Sequence, residues 1–107
     1  MKIKLKTISK YKIKNANSRN SFDLWLDKLN NANWSITNDI IKTYGNADLI
    51  GNKSHRVVFN IGGNKYRMIC KYHFGKKYVH LFINWIGTHS EYTKICNDEL
   101  QYTINLY

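Results

Sequence analysis

A histidine, a tyrosine and a lysine sit close together late in this chain, at His89, Tyr92 and Lys94. They come after a stretch in which Arg56, Lys65, Arg67, Lys71 and His73 recur among apolar residues. Imidazole titrates near pH ~6.5 in ordinary surroundings and serves as acid or base at neutrality. Guanidinium stays charged and can hold two phosphate oxygens at once. A basic face beside a His/Tyr pair therefore has the chemistry to grip RNA and cut it without a metal. A base would take the ribose 2′ proton, a cation would stabilise the phosphorane, and an acid would protonate the leaving 5′ oxygen. The products would be a 2′,3′-cyclic phosphate and a 5′-hydroxyl. Residue type alone leaves duller roles open. A lone histidine is more often structural, Arg67 suits a surface ion pair, and Tyr92 could simply pack on Trp85.

The elements that must hold these groups are legible from periodicity. Residues 56–60, 65–73 and 78–86 read as three strands of a meander. Gly62-Gly63-Asn64 supplies the positive φ angles of a tight hairpin, and Phe74 to Lys77 makes the second turn. Side chains alternate across a strand. On the second strand Lys65, Arg67, Ile69, Lys71 and His73 share one face, while Tyr66, Met68, Cys70 and Tyr72 share the apolar one. On the third, Val79, Leu81, Ile83 and Trp85 suit the core, and Tyr78, His80, Phe82, Asn84 and Ile86 face away. The second set could offer stacking and polar contacts beside the cationic row, or be an ordinary solvated surface.

Upstream, residues 2–8 alternate Lys2, Lys4 and Lys6 with Ile3, Leu5 and Thr7, the pattern of a half-buried edge strand. A short helix over 9–16 is the competing reading of the next residues. Residues 21–31 read as a helix capped by Ser21, with Phe22, Trp25, Leu26 and Leu29 in one stripe. A second helix over 36–44 carries Ile36, Ile40, Ile41 and Tyr44 and stops at Gly45. Residues 97–107 are either a further strand or a docked extension. The expected architecture is α+β: a twisted antiparallel sheet, built from a three-strand C-terminal meander plus an N-terminal edge strand, with two to three helices packed on one face.

At 107 residues the chain is expected to form one domain over 1–107. Its net charge of +10 and pI near 9.7 point to an anionic partner. The abundance of Lys, Asn and Ile would also follow from an AT-rich genome, and surface lysines are usually just solvated. Cys70 and Cys96 form no CxxC and no zinc spacing, and read as reduced, packed thiols. No metal site and no cofactor are expected. No apolar run approaches the roughly 20 residues of a membrane span. The opening residues do not form a signal peptide, so a cytoplasmic location is expected.

Two motifs go further. FNIGGNKYRMI (Phe59–Ile69) followed by GTHSEYTKI (Gly87–Ile95) resembles the HigB family of type II toxin–antitoxin toxins, within the RelE/ParE-like superfamily. Upstream, DLWLDKLNNANW (Asp23–Trp34) and ADLI (Ala47–Ile50) match that family's layout of helix, tryptophan and second helix before the sheet. The resemblance covers about 30–95. It implies a RelE-like fold and a ribosome-dependent mRNA endonuclease acting in the A site of the small subunit. It also implies silencing by a HigA-like helix-turn-helix antitoxin. By the resemblance, Arg67 is a phosphate-gripping arginine, His89 a catalytic residue after the last strand, and Tyr92 near the functional tyrosine. Arg56, Lys65, Lys71, His73 and Lys94 would line the RNA. The family's usual EYDKI-like end reads EYTKI here, with Thr93 replacing the acidic residue. Two other readings share this fold: a non-catalytic, decayed toxin that binds RNA or the ribosome, and a ParE-like gyrase inhibitor.

Overall fold

The computed structural model describes residues 1–51 and 53–107. Among them run β1 (Lys2–Ile3), α1 (Leu5–Lys14), α2 (Arg19–Asn30), α3 (Asn38–Thr43), β2 (Asp48–Ile50), β3 (Arg56–Ile61), β4 (Tyr66–Phe74), β5 (Val79–Thr88) and α4 (His89–Asn97). The sheet order is β1-β5-β4-β3-β2. The α+β, RelE-like architecture and the β3–β5 meander are as expected. Among the described residues no helix is long and apolar enough to cross a membrane.

The N-terminal strand lies at the sheet edge but is short. Only Lys2 and Ile3 pair, opposite His80 and Leu81, and they run parallel to β5, so the sheet is mixed rather than wholly antiparallel. From Leu5 the chain turns helical instead of continuing the period-two pattern. The reason is a competing stripe: Ile8 is fully buried and Tyr11, one turn on, packs on Phe22 with ring centroids 5.5 Å apart. A 3-10 turn over Ala16–Ser18 joins α1 to α2. The helix expected to start at Ser21 begins at Arg19, because Ser18 is buried and its hydroxyl donates to the Asn15 carbonyl at 2.6 Å. The next helix is shorter than the 36–44 expected. Asp39 accepts from the backbone N–H groups of Ser35 and Ile36, which fixes the turn ahead of Asn38 and leaves Ile36 exposed.

The largest core lies under α1–α3. Phe22, Trp25 and Leu29 of α2 meet Val57, Phe59, Met68, Cys70 and Leu81 of the sheet. Trp25 and Tyr44 stack at 5.2 Å, Phe59 meets both edge-on, and the Tyr44 hydroxyl donates to the Trp25 carbonyl at 2.6 Å. Gly62 and Gly63 hold φ near +68° and +67° in the β3–β4 turn, as the Gly-Gly-Asn sequence implies. Gly62 also has no room for a Cβ, which would meet the Ser21 hydroxyl of α2 at 2.6 Å.

One irregularity decides the sheet's other face. Ile69 stands opposite Trp85, but Cys70 stands opposite Ile83, so Asn84 is an extra residue in β5. Such a bulge reverses the alternation beyond it. Trp85, expected in the helical core, turns to the opposite face and packs with Val58 and Ile69, and Ile86 takes its place inside. Tyr92 and Ile95 of α4 and Ile104 of the final segment cover that second cluster. The helices are therefore not all on one face.

Candidate functional site

The segment expected to carry the reacting groups as a polar stretch folds as α4, and its start is fixed by a capping box. The Glu91 backbone N–H donates to the Thr88 hydroxyl at 3.2 Å, and the Glu91 carboxylate accepts from the Thr88 N–H at 2.8 Å. Thr88-His89-Ser90-Glu91 is the sequence signature of this cap, and could have revealed the helix. Immediately before it, Gly87 is a glycine for packing reasons, since a Cβ there would overlap the Trp85 indole.

His89 is thus the first residue of a helix that is tied to the sheet by its own backbone. Its backbone N–H donates to the Lys65 carbonyl at 3.0 Å, and its own carbonyl accepts from the Thr93 hydroxyl at 3.1 Å. The imidazole is exposed, as are Lys65 and Lys94. Thr93, which replaces the acidic residue of the resemblance, here turns its hydroxyl back onto its own helix.

Arg67 lies on the face that α4 covers, directly opposite Gly87 on one side and Asn60 on the other. It is only 6% exposed. Its Nη1 donates to the carbonyls of Tyr66 (3.0 Å) and Gly63 (3.5 Å), and its Nη2 to the Asn64 side chain (3.3 Å). A guanidinium has five N–H donors; those three bonds leave two without a partner among the described residues. The expected open, phosphate-facing arginine is therefore a cation anchored to the β3–β4 hairpin.

Tyr92 follows His89 by three residues, close to one helical turn. Its ring packs on Trp85 with centroids 6.1 Å apart. Burial, then a hydrogen bond and charge from Cys96, push its phenol well above the usual tyrosine range, while nearby Arg67 pulls the other way. It is a neutral donor at physiological pH and a poor base. Arg67 and Tyr92 thus lie near each other on the α4 face, and the backbone of His89 is tied to the same end of β4 through the Lys65 carbonyl.

The expected cationic row does not run unbroken down this face. Arg56 is 7% exposed, and its Nη1 donates to the carbonyls of Ile104 (2.7 Å) and Gln101 (3.2 Å). Burial lowers its pKa. It holds the final segment in place rather than presenting a cation to solvent, which corrects its expected role along RNA. That segment crosses the sheet as a docked extension. Leu106 N–H donates to the Asn84 carbonyl, and the Asn84 amide donates to the Asn105 side chain at 3.1 Å. Ile104 lies on the Trp85 cluster. Lys71 and His73 are exposed, but beyond this strap. Among the described residues the ion pairs are Lys12–Asp23 and Lys42–Asp39, both away from this face, so none neutralises Lys65, Lys71 or Lys94.

No curated protein matches the chain. A family model does: HigB_toxin, the RelE-like toxic component of a toxin–antitoxin system, matches residues 18–95. That span takes in α2, the whole β2–β5 sheet and most of α4 with His89, Arg67 and Tyr92. The chain belongs to the HigB toxin family, the RelE-like toxic components of toxin–antitoxin systems, and its family role implies an antitoxin partner.

Proposed function

We propose that this toxin is a metal-independent endoribonuclease. It cuts mRNA in the A site of the small ribosomal subunit and so stops translation, and a HigA-like helix-turn-helix antitoxin silences it. The observation that supports this most is that Arg67 and Tyr92 lie near each other on the face α4 covers, while the Lys65 carbonyl, two residues before Arg67, receives the His89 backbone N–H.

The 2′-hydroxyl loses its proton and its oxygen bonds to phosphorus. The P–O5′ bond breaks and the 5′ oxygen takes up a proton. His89, exposed at the start of α4, serves one of these transfers and solvent the other. Exposed Lys65 and Lys94 meet the phosphate directly. Arg67, pinned by three hydrogen bonds, adds a fixed positive field beneath them. Tyr92 donates or positions, because its raised pKa keeps it protonated.

The burial of Arg67 favours one other reading, a toxin that occupies the ribosome without cutting. Purified protein added to a translation reaction separates the two. Cleavage predicts transcript fragments whose upstream pieces end in a 2′,3′-cyclic phosphate and whose downstream pieces begin with a 5′-hydroxyl. Arrested translation on intact transcripts would instead support occupation alone.

A further inference from the structure

The half of the α4 face beyond the strap has its own construction. Lys71 stands directly opposite Phe82, and His73 directly opposite His80, so all four side chains share one face. The His80 and Phe82 rings stack at 5.8 Å with planes 9° apart. Phe82 is 52% exposed although it sits in a central part of the sheet. A hollow of about 870 Å³ opens beside it, lined by His55, Lys71, His73, Phe82, Asn105 and Tyr107. A second, of about 450 Å³, opens on the opposite side and is lined by Lys2, Lys4, His80, Phe82 and Tyr107. The aromatic ridge is therefore shared by two hollows, each with cationic groups in its wall. A lone exposed phenylalanine needs no explanation. One stacked on an imidazole, flanked by two hollows and opposed by a lysine, has the parts of a platform for single-stranded nucleic acid: a π-face for the base and cations for the phosphates on either side.

We propose that this ridge is a second RNA-binding site, in which an unpaired base stacks on Phe82 and His80 while its flanking phosphates meet Lys71 on one side and Lys2 or Lys4 on the other. It rests on the RNA-cleaving reading only for the identity of its ligand. Arg67 and Lys71 are four residues apart on β4, which is ~13 Å at about 3.3 Å per residue. The strap of residues 101–106 crosses between them. The ridge thus holds RNA outside the reacting step and sets which flanking nucleotides are retained.

The test is fluorescence anisotropy with a labelled single-stranded RNA octamer carrying 2′-O-methyl groups, which cannot be cut. Phe82→Ala should weaken binding about 10-fold, within the range of one lost base stack, and Phe82→Trp should restore it. Lys71→Ala should weaken binding and flatten the dependence of log K on log salt by about 0.7, the value of one phosphate contact on a single strand. Affinities for Phe82→Ala and Lys71→Ala within twofold of wild type would overturn the site, as would absence of binding by wild type. Parallel cleavage assays keep the two ideas apart. If these variants lose binding while wild type never cuts, the ridge stands and the nuclease reading falls. If His89-dependent cutting persists and the variants bind normally, the reverse holds.

Discussion

The two faces of the sheet are built differently. Under α1–α3, β-strand side chains interlock with three helices through Phe22, Trp25, Tyr44 and Phe59, and the polar groups there are few. On the α4 face the buried apolar set among the described residues is Val58, Ile69 and Trp85, covered by Ile50, Tyr92, Ile95 and Ile104. Two arginines are buried beside it, and both donate to backbone carbonyls of nearby loops. The lesson is a division of labour. One face carries most of the apolar packing, so the other can hold cations, a bulge and a helix start.

The sharpest way to break that division is to truncate each face in turn. Phe22→Ala should cost about 3–5 kcal/mol, enough to unfold much of a domain this size. Ile104→Ala, a partly buried contact on the thin face, should cost roughly 1–2 kcal/mol in urea denaturation. Equal losses would erase the contrast. Gly87→Ala should fall between, at about 1–3 kcal/mol, because the Trp85 indole must give way. Its effect on cleavage should exceed its effect on stability, since the displaced indole supports Tyr92.

Arg56→Met should loosen the final segment at a cost of about 1–3 kcal/mol. Limited proteolysis after residue 97 should speed up while the sheet stays protected. If cleavage appears first among α1–α3, the strap is not the weaker layer.

Tyr44→Phe removes one buried hydrogen bond and should cost about 1 kcal/mol. It should also change the alkaline limb. Burial raises the Tyr44 phenol, with Cys70 a smaller cause, so the folded pKa exceeds the unfolded one. Its contribution is complete below about pH 10 and drains as pH climbs toward the folded value. Denaturation of wild type and Tyr44→Phe across that window should therefore converge.

Asp39 supplies the smallest effect, with the opposite sign. The backbone N–H groups of Ser35 and Ile36, and then Lys42, hold its carboxyl below the usual range. Its contribution is present above the unfolded pKa of about 3.9 and is lost as pH falls through the folded value. The stability gap between wild type and Asp39→Asn should close below about pH 4.

Much of the dense face was readable in the residues. The stripe Phe22, Trp25, Leu26 and Leu29 and the alternation Tyr66, Met68, Cys70 and Tyr72 lead to the same core that the structure shows. The thin face was harder, for physical reasons. Period-two reading fails past Asn84, because an inserted residue leaves no mark in hydrophobic pattern. The alternation of Lys2 to Lys6 misleads because strand pairing stops at Ile3 and helix packing wins from Leu5. Arg56 and Arg67 do lie on the expected face, but alternation says nothing about what covers a face. Only the docked extension shows that the first is occupied and separates the second from Lys71 and His73. The three-residue strand Asp48–Ile50 is too short to show a period.

The end of the α4 face should carry cleavage chemistry without carrying the fold. The decisive test is primer extension on an mRNA translated with wild-type or His89→Ala protein, alongside urea denaturation of both. His89 is exposed and its side chain lies outside both apolar clusters. The variant should unfold within about 0.5 kcal/mol of wild type while cleavage slows by about 10²–10⁴-fold. Equal cutting by both proteins at the same positions would contradict the assignment of His89 to the reaction.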